Sequence, residues 1–359
     1  MDVGKKIEQK LAFSAKQYQQ IMQLIGQIDY FNGNWKAIEH QQAQHLKTLS
    51  KVATIESIGS STRIEGSTLT DKEVEKLLKS VKITKLKTRD EQEVMGYYEA
   101  LQIIIEHYAD MELSERYIHQ LHSILLKHSS KDQHHKGNYK TLSNQVVANY
   151  PDGTKRIIFN PTPPHLTAKE MRECIQWVSK KFLEKDMHPL LATACFVYEF
   201  LSIHPYKDGN GRLSRLLTTL LLLQQGYHFI QYISFENIVE TQKEHYYKAL
   251  MDGQKHRHRK TEKIDKWIHF FLDSLCMLTQ RLQAKYDKYT QLKHELNERQ
   301  QKVIRYIKKK KTVQIKDIEK KLTDYSRNTL KKDLLYLVNE GLLLKTGEGR
   351  GVYYHYIKQ

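Results

Sequence analysis

His204-Pro-Tyr-Lys-Asp-Gly-Asn-Gly-Arg-Leu-Ser-Arg215 separates two strongly apolar runs, Leu190 to Ile203 before it and Leu213 to Leu223 after it. Both runs read as core helices. A polar, glycine-containing insert with two arginines is more than a plain helix–helix connection needs. Gly209, Asn210 and Gly211 let the backbone turn tightly and aim several N–H groups one way. They do so where the next helix begins, so the helix dipole adds to an anion-binding nest. Arg212 and Arg215, three apart, share one helix face and can grip phosphate oxygens bidentately. Asp208 offers a hard oxygen ligand of the kind Mg2+ accepts while partly hydrated against phosphates. His204 can take a proton near neutral pH. Singly, these features have plainer readings: His204 and Asp208 as a helix-end pair, the glycines as a turn. Together, with an apolar helix following at once, they favour a phosphate and metal site.

The whole string resembles the signature of the Fic family, HxFx(D/E)GNGRxxR, from His204 to Arg215. Tyr206 stands where the family usually has Phe, and can anchor the loop in the core if its hydroxyl finds a partner. The resemblance implies a mostly α fold, a Fic-type helical bundle with a β-hairpin flap. It also implies transfer of AMP from ATP to a Ser, Thr or Tyr hydroxyl of a protein target. In that reading His204 is the base and Asp208 holds Mg2+. Gly209, Asn210, Gly211, Arg212 and Arg215 take the ATP phosphates. Upstream, Ser61-Thr-Arg-Ile-Glu65-Gly66 alone reads as a helix end, with Gly66 as the cap and Glu65 solvated. Beside the signature it resembles the family's (S/T)xxxE(G/N) inhibitory motif, in the class with an N-terminal inhibitory helix. A carboxylate aimed at arginines competes with phosphate for the same donors; by resemblance, Glu65 pairs with Arg215 and displaces the γ-phosphate.

Other stretches resemble the family more loosely. Gly137-Asn-Tyr-Lys140 is similar to its GxYR stretch, with Lys in the Arg position. Residues 145–159 read as a β-hairpin around a Pro151-Asp-Gly153 turn. In the family this hairpin is the flap that holds the target segment by strand addition. Tyr246 and Tyr247 read as helix-face packing or, by resemblance, as adenine-pocket residues. Some relatives remove AMP or transfer other phosphate-containing groups, and Glu65 would then position a water.

The chain has 359 residues and a net charge of +17, which favours acidic partners such as nucleotides or nucleic acid. Cys174, Cys195 and Cys276 form no CxxC pair and read as buried thiols of a reducing compartment. No signal-peptide core and no membrane-length apolar run is apparent, so the expectation is a cytoplasmic chain without a membrane partner. His134-His135 lacks ligand companions at metal spacing. Phe31-Asn-Gly-Asn-Trp35 reads as a turn with aromatic anchors.

From Leu296 onward three helical segments and a hairpin resemble a winged helix. This stretch holds sixteen Lys/Arg against seven Asp/Glu. Arg327, Asn328, Lys331 and Lys332 lie on its third helix, where a recognition helix meets DNA. Winged helices also dock proteins. The expected organisation is therefore 1–85, a helical region with the inhibitory helix; 86–295, the catalytic domain with trailing helices; and 296–359, the winged helix. Expected partners are ATP, a protein target on the 145–159 flap, DNA through the C-terminal domain, and further copies of the chain. A rival reading is a DNA-binding regulator whose Fic part only senses nucleotide.

Overall fold

The computed structural model describes residues 7–41, 43–80, 86–144, 146–149, 155–294, 296–347 and 349–356. They form two compact units, residues 1–35 with 50–279, and residues 36–49 with 280–359. Residues 1–85, expected as a region of their own, contribute to both units, and the expected boundaries at 85 and 295 fall at positions outside the described residues.

The first helices are α1 (Ala15–Gln41), α2 (Ala43–Ile64), α3 (Asp71–Ser80), α4 (Arg89–His107) and α5 (Glu115–Leu125). The turn expected at Phe31 to Trp35 is instead part of α1. Phe31 and Trp35, four apart, stack with centroids 5.5 Å apart, and pack on Phe229 and Tyr232. Burying that aromatic face outweighs the turn preference of the intervening Asn and Gly. Thr88 closes a capping box with Glu91 at the start of α4, and Ser114 caps α5.

Strands β1 (Val146–Asn149) and β2 (Lys155–Phe159) pair antiparallel, with an irregularity between Val146 and Val147. The turn expected at Pro151-Asp-Gly153 lies outside the described residues. Then follow α6 (Pro164–Glu184), α7 (Pro189–Ile203), α8 (Asn210–Gln224), α9 (Phe235–Thr241), α10 (Lys243–Gln254) and α11 (Asp265–His294). The two apolar runs are α7 and α8, and they are the centre of this unit. Phe196, Phe200, Leu213, Leu216, Leu217 and Leu220 are buried. Each such side chain contributes about 1.5–3 kcal/mol by leaving water. The core thus fixes both ends of the polar loop between them. The three cysteines are buried.

The second unit contains α12 (Glu298–Lys310), β3 (Thr312–Val313), α13 (Ile315–Lys321), α14 (Arg327–Asn339), β4 (Leu343–Thr346) and β5 (Tyr353–Tyr356). Its sheet runs β3-β5-β4, all antiparallel, with Thr312 opposite His355 and Leu343 opposite Tyr356. The short strand β3 was not legible in the sequence. A core of Val303, Ile307, Val313, Ile318, Leu330, Leu334, Leu337 and Leu343 closes it. No helix among the described residues is long and apolar enough to cross a membrane.

Candidate active site

The loop from His204 to Gly209 joins two buried helix ends. His204 caps α7 in the left-handed region, at φ 52°, and donates its N–H to the Phe200 carbonyl at 2.9 Å. Its Nδ1 lies 3.4 Å from the Leu201 carbonyl; with the proton on Nδ1, Nε2 carries the lone pair. Burial pushes the imidazole down to about 4, and the Lys140 ammonium pushes the same way. His204 is therefore neutral at pH 7 and able to accept a proton.

Tyr206 is fully buried, and its hydroxyl does find a partner, His119 Nδ1 at 2.9 Å. Its ring stacks on His122, centroids 3.7 Å apart. His122 Nδ1 accepts from the Gly137 N–H at 2.8 Å, so its Nε2 is the protonated nitrogen and donates to the Asp208 carbonyl at 3.0 Å. Burial lowers the His122 pKa to about 4, so this bond pair stays neutral.

Gly209 precedes α8 at φ 82°, a conformation that favours glycine. Asn210 does not turn its side chain to the site. Its Oδ1 accepts from the Tyr206 N–H at 2.9 Å and its Nδ2 donates to the Tyr206 carbonyl at 2.7 Å, closing the loop on itself. Asp208 Oδ1 accepts from the Gly209 N–H at 2.6 Å and from Arg212 Nη2 at 3.2 Å. Its Oδ2 lies 3.3 Å from Lys131 Nζ and 3.9 Å from Arg89 Nη2. Burial opposes its ionisation, but Arg212, Lys131 and the Gly209 N–H together hold the carboxyl below its ordinary range.

Arg212 and Arg215 are both buried at the start of α8. Arg212 Nη1 lies 3.3 Å from Glu93. No hydrogen bond among the described residues reaches Arg212 Nε or Arg215 Nη1. Buried cationic donors of this kind are costly to leave unmet.

The end of α2 enters the same place. Ser61 Oγ accepts from Arg215 Nε at 2.8 Å, and the Ser61 carbonyl accepts from Nη2 at 2.9 Å. Glu65 Oε1 accepts from the same Nη2 at 2.8 Å. A Cβ on Gly211 would lie 2.1 Å from Glu65 Oε1, so a larger residue there would force the carboxylate to shift. Burial works against ionisation of Glu65, but Arg215 outweighs it and holds the pKa below the usual range. Gly66 follows at φ 107° and ends the helix. Arg63, between the two motif residues, pairs with Glu240 at 2.6 Å and Asp71 at 2.9 Å, and Lys243 donates to the Ile64 carbonyl at 2.8 Å. Tyr246 is buried beside Arg215 and packs on Trp267 and Phe270, while Tyr247 is half-buried. Burial pushes the Tyr246 hydroxyl up to about 12.

His204, Asp208, Gly209, Gly211, Arg212, Arg215, Ser61 and Glu65 thus lie together around the start of α8, and the Phe159 ring of β2 has its centroid 6.5 Å from that of His204. Sequence reasoning missed His119, His122, Lys131, Arg89, Glu93 and Arg63, for which no local pattern gave a signal.

This fold and site define a helical domain that presents cationic and N–H donors at the start of a buried helix. A carboxylate from another helix sits among those donors. Residues 112–222 match the Fic/DOC family and residues 299–352 the DeoR-like helix-turn-helix domain. The chain carries a Fic/DOC family domain and, toward its C-terminal end, a DeoR-like helix-turn-helix domain. It is similar to a Fic family protein from Desulfovibrio desulfuricans G20, with TM-score 0.63, 20% identity and 98% of each chain covered. It is also similar to a Fic domain containing signaling protein from Bacteroides thetaiotaomicron, with TM-score 0.58, 21% identity, 72% of this chain and 97% of that one. At these identities the likeness is one of fold. Among curated relatives, the protein adenylyltransferase Fic of Drosophila ananassae is 29% identical over 190 residues, 52% of this chain and 36% of that protein. The chain spans little more than a third of the length of such relatives.

Proposed function

We propose that this chain is a protein adenylyltransferase held mostly inactive by Glu65. One observation carries the reading: the Glu65 carboxylate, 2.8 Å from Arg215 Nη2, occupies a place among buried cationic donors that a phosphate would use.

In the reading proposed, ATP lays its phosphates along the backbone of Gly209 to Gly211 and on Arg212 and Arg215. Asn210 contributes its backbone there, since its side chain holds the loop. The ionised Asp208 carboxylate suits Mg2+, and no group of three or more ligating side chains exists among the described residues, so phosphate oxygens and water would complete its shell. Bound there, Mg2+ would neutralise phosphate charge. His204 Nε2 takes the proton of the target hydroxyl. The oxygen attacks the α-phosphorus, the bond to the β-phosphate oxygen breaks, and pyrophosphate leaves. Positioning and charge neutralisation supply most of the acceleration in transfers of this kind. Tyr247, half-exposed, offers a ring to the adenine, with Tyr246 packed behind it. The pair of strands β1 and β2 offers a strand edge to the target.

The ionised, partly exposed Glu65 would also suit orientation of a water against an AMP-modified protein, the reverse reaction. In the second unit Asn328, Lys331 and Lys332 are exposed on α14, whereas Arg327 is tied to Glu319 at 2.6 Å. That face suits phosphate contacts with DNA. The test is incubation of wild type and Glu65→Gly with labelled ATP and Mg2+. Label in protein supports transfer; no label in either protein overturns the reading.

A further inference from the structure

We propose that Lys140 and Asn144 are positioning residues for His204: together they grip the backbone on both sides of the left-handed turn that aims its imidazole. The inference rests on the reading of His204 as the base.

The observation is a run of bonds. The Lys140 Nζ donates to the Ile203 carbonyl at 3.0 Å. Asn144 Nδ2 donates to the His204 carbonyl at 3.4 Å and the Tyr206 carbonyl at 2.9 Å. The Lys140 N–H donates to the Pro205 carbonyl at 2.8 Å. Every carbonyl from Ile203 to Tyr206 therefore accepts from one of two residues. Those two are joined to each other by Lys140 Nζ to Asn144 Oδ1 at 2.8 Å. Lys140 is buried, and a buried lysine needs partners of this kind.

The grip has a reason to exist. His204 holds φ 52°, a conformation that costs a β-carbon-bearing residue energy and persists only where its surroundings enforce it. The last carbonyls of α7 would otherwise be orphaned at a buried helix end. A positive side chain near a helix C-terminus also suits the dipole.

The same lysine leaves an electrostatic mark. Of the charged groups near His204, Lys140 opposes protonation while Glu65 and Asp208 favour it. Burial lowers the Lys140 pKa to about 8, so it stays cationic throughout the range in which His204 titrates.

The test uses full-length Lys140→Met, Lys140→Arg and Asn144→Ala. The His204 imidazole is titrated by NMR, its signal assigned by loss in His204→Gln. Lys140→Met is expected to move the titration upward by about one pH unit, and Lys140→Arg to leave it in place. Asn144→Ala, which keeps the ammonium, is expected to leave the titration unmoved. In a Glu65→Gly background it should lower kcat for AMP transfer by about tenfold or more with KM for ATP little changed. An unmoved titration in Lys140→Met, or an equal shift in Lys140→Arg, overturns the electrostatic role. A kcat for Asn144→Ala in that background equal to that of Glu65→Gly alone overturns the grip. If Lys140→Met does not fold, the other two variants decide by the same criteria. If no protein transfers AMP, the adenylyltransferase reading falls, while the titrations still decide whether Lys140 faces His204.

Discussion

Replacing Glu65 by Gly removes the carboxylate that shares Arg215 Nη2 and leaves the two Ser61 bonds to Arg215 in place. A charge-assisted hydrogen bond is worth about 1.5–3 kcal/mol when buried. The Glu65 side chain is 31% exposed, so solvent screening reduces this interaction to roughly 1–2 kcal/mol. If that interaction is what the γ-phosphate must displace, its removal raises transfer by roughly 5- to 30-fold. Arg215→Ala also breaks the pair but removes the fork itself. Misplacing the α-phosphate by ~1 Å can cost ~10²-fold, so this variant stays at or below wild type. The assay is the initial rate of AMP incorporation at saturating Mg2+-ATP for the three proteins. Because Arg215 depresses the Glu65 pKa, the pair is intact above the ordinary carboxylate range and is lost as pH falls through the depressed value. The activation ratio should therefore be flat from about pH 6 to 8. Equal rates for wild type and Glu65→Gly refute the inhibitory role. Activation by Arg215→Ala keeps the inhibition but refutes Arg215 as a phosphate ligand.

Three further outcomes are expected. His204→Ala in the Glu65→Gly background abolishes transfer while calorimetry still detects ATP binding, since the imidazole acts on the acceptor hydroxyl; retained transfer removes His204 from the base role. Ser61→Ala takes one hydrogen bond from Arg215 Nε, loosens the end of α2 and raises transfer several-fold, less than Glu65→Gly does; labelled-ATP rates compare the two. The double change Lys331→Glu, Lys332→Glu on exposed positions of α14 weakens DNA retention without altering transfer. The slope of log affinity against log salt should fall by about 0.9 for each DNA phosphate that is no longer neutralised, and an unchanged slope places the DNA-binding face elsewhere.

The chemistry of this chain was legible wherever it is local. Gly209 to Gly211, the three-residue spacing of Arg212 and Arg215, and the apolar helices around them carry their meaning in adjacent positions, because turn geometry and helix periodicity act over a few residues. The caps at Thr88 and Ser114 act over the same short range. The Glu65–Arg215 pair was expected only from resemblance, since 150 positions separate the two and no periodicity links them. Tertiary structure alone decided that His119 satisfies Tyr206, that His122 joins Gly137 to Asp208, and that Arg63 fastens α2 to Glu240. It also turned Phe31 to Trp35 from an expected turn into helix, and it gave the Asn210 side chain to the loop itself. The physical reason is common to all of them. A buried polar group must find a partner and an aromatic face must find a surface, but which ones they find depends on what the fold brings near, not on what precedes them in the chain.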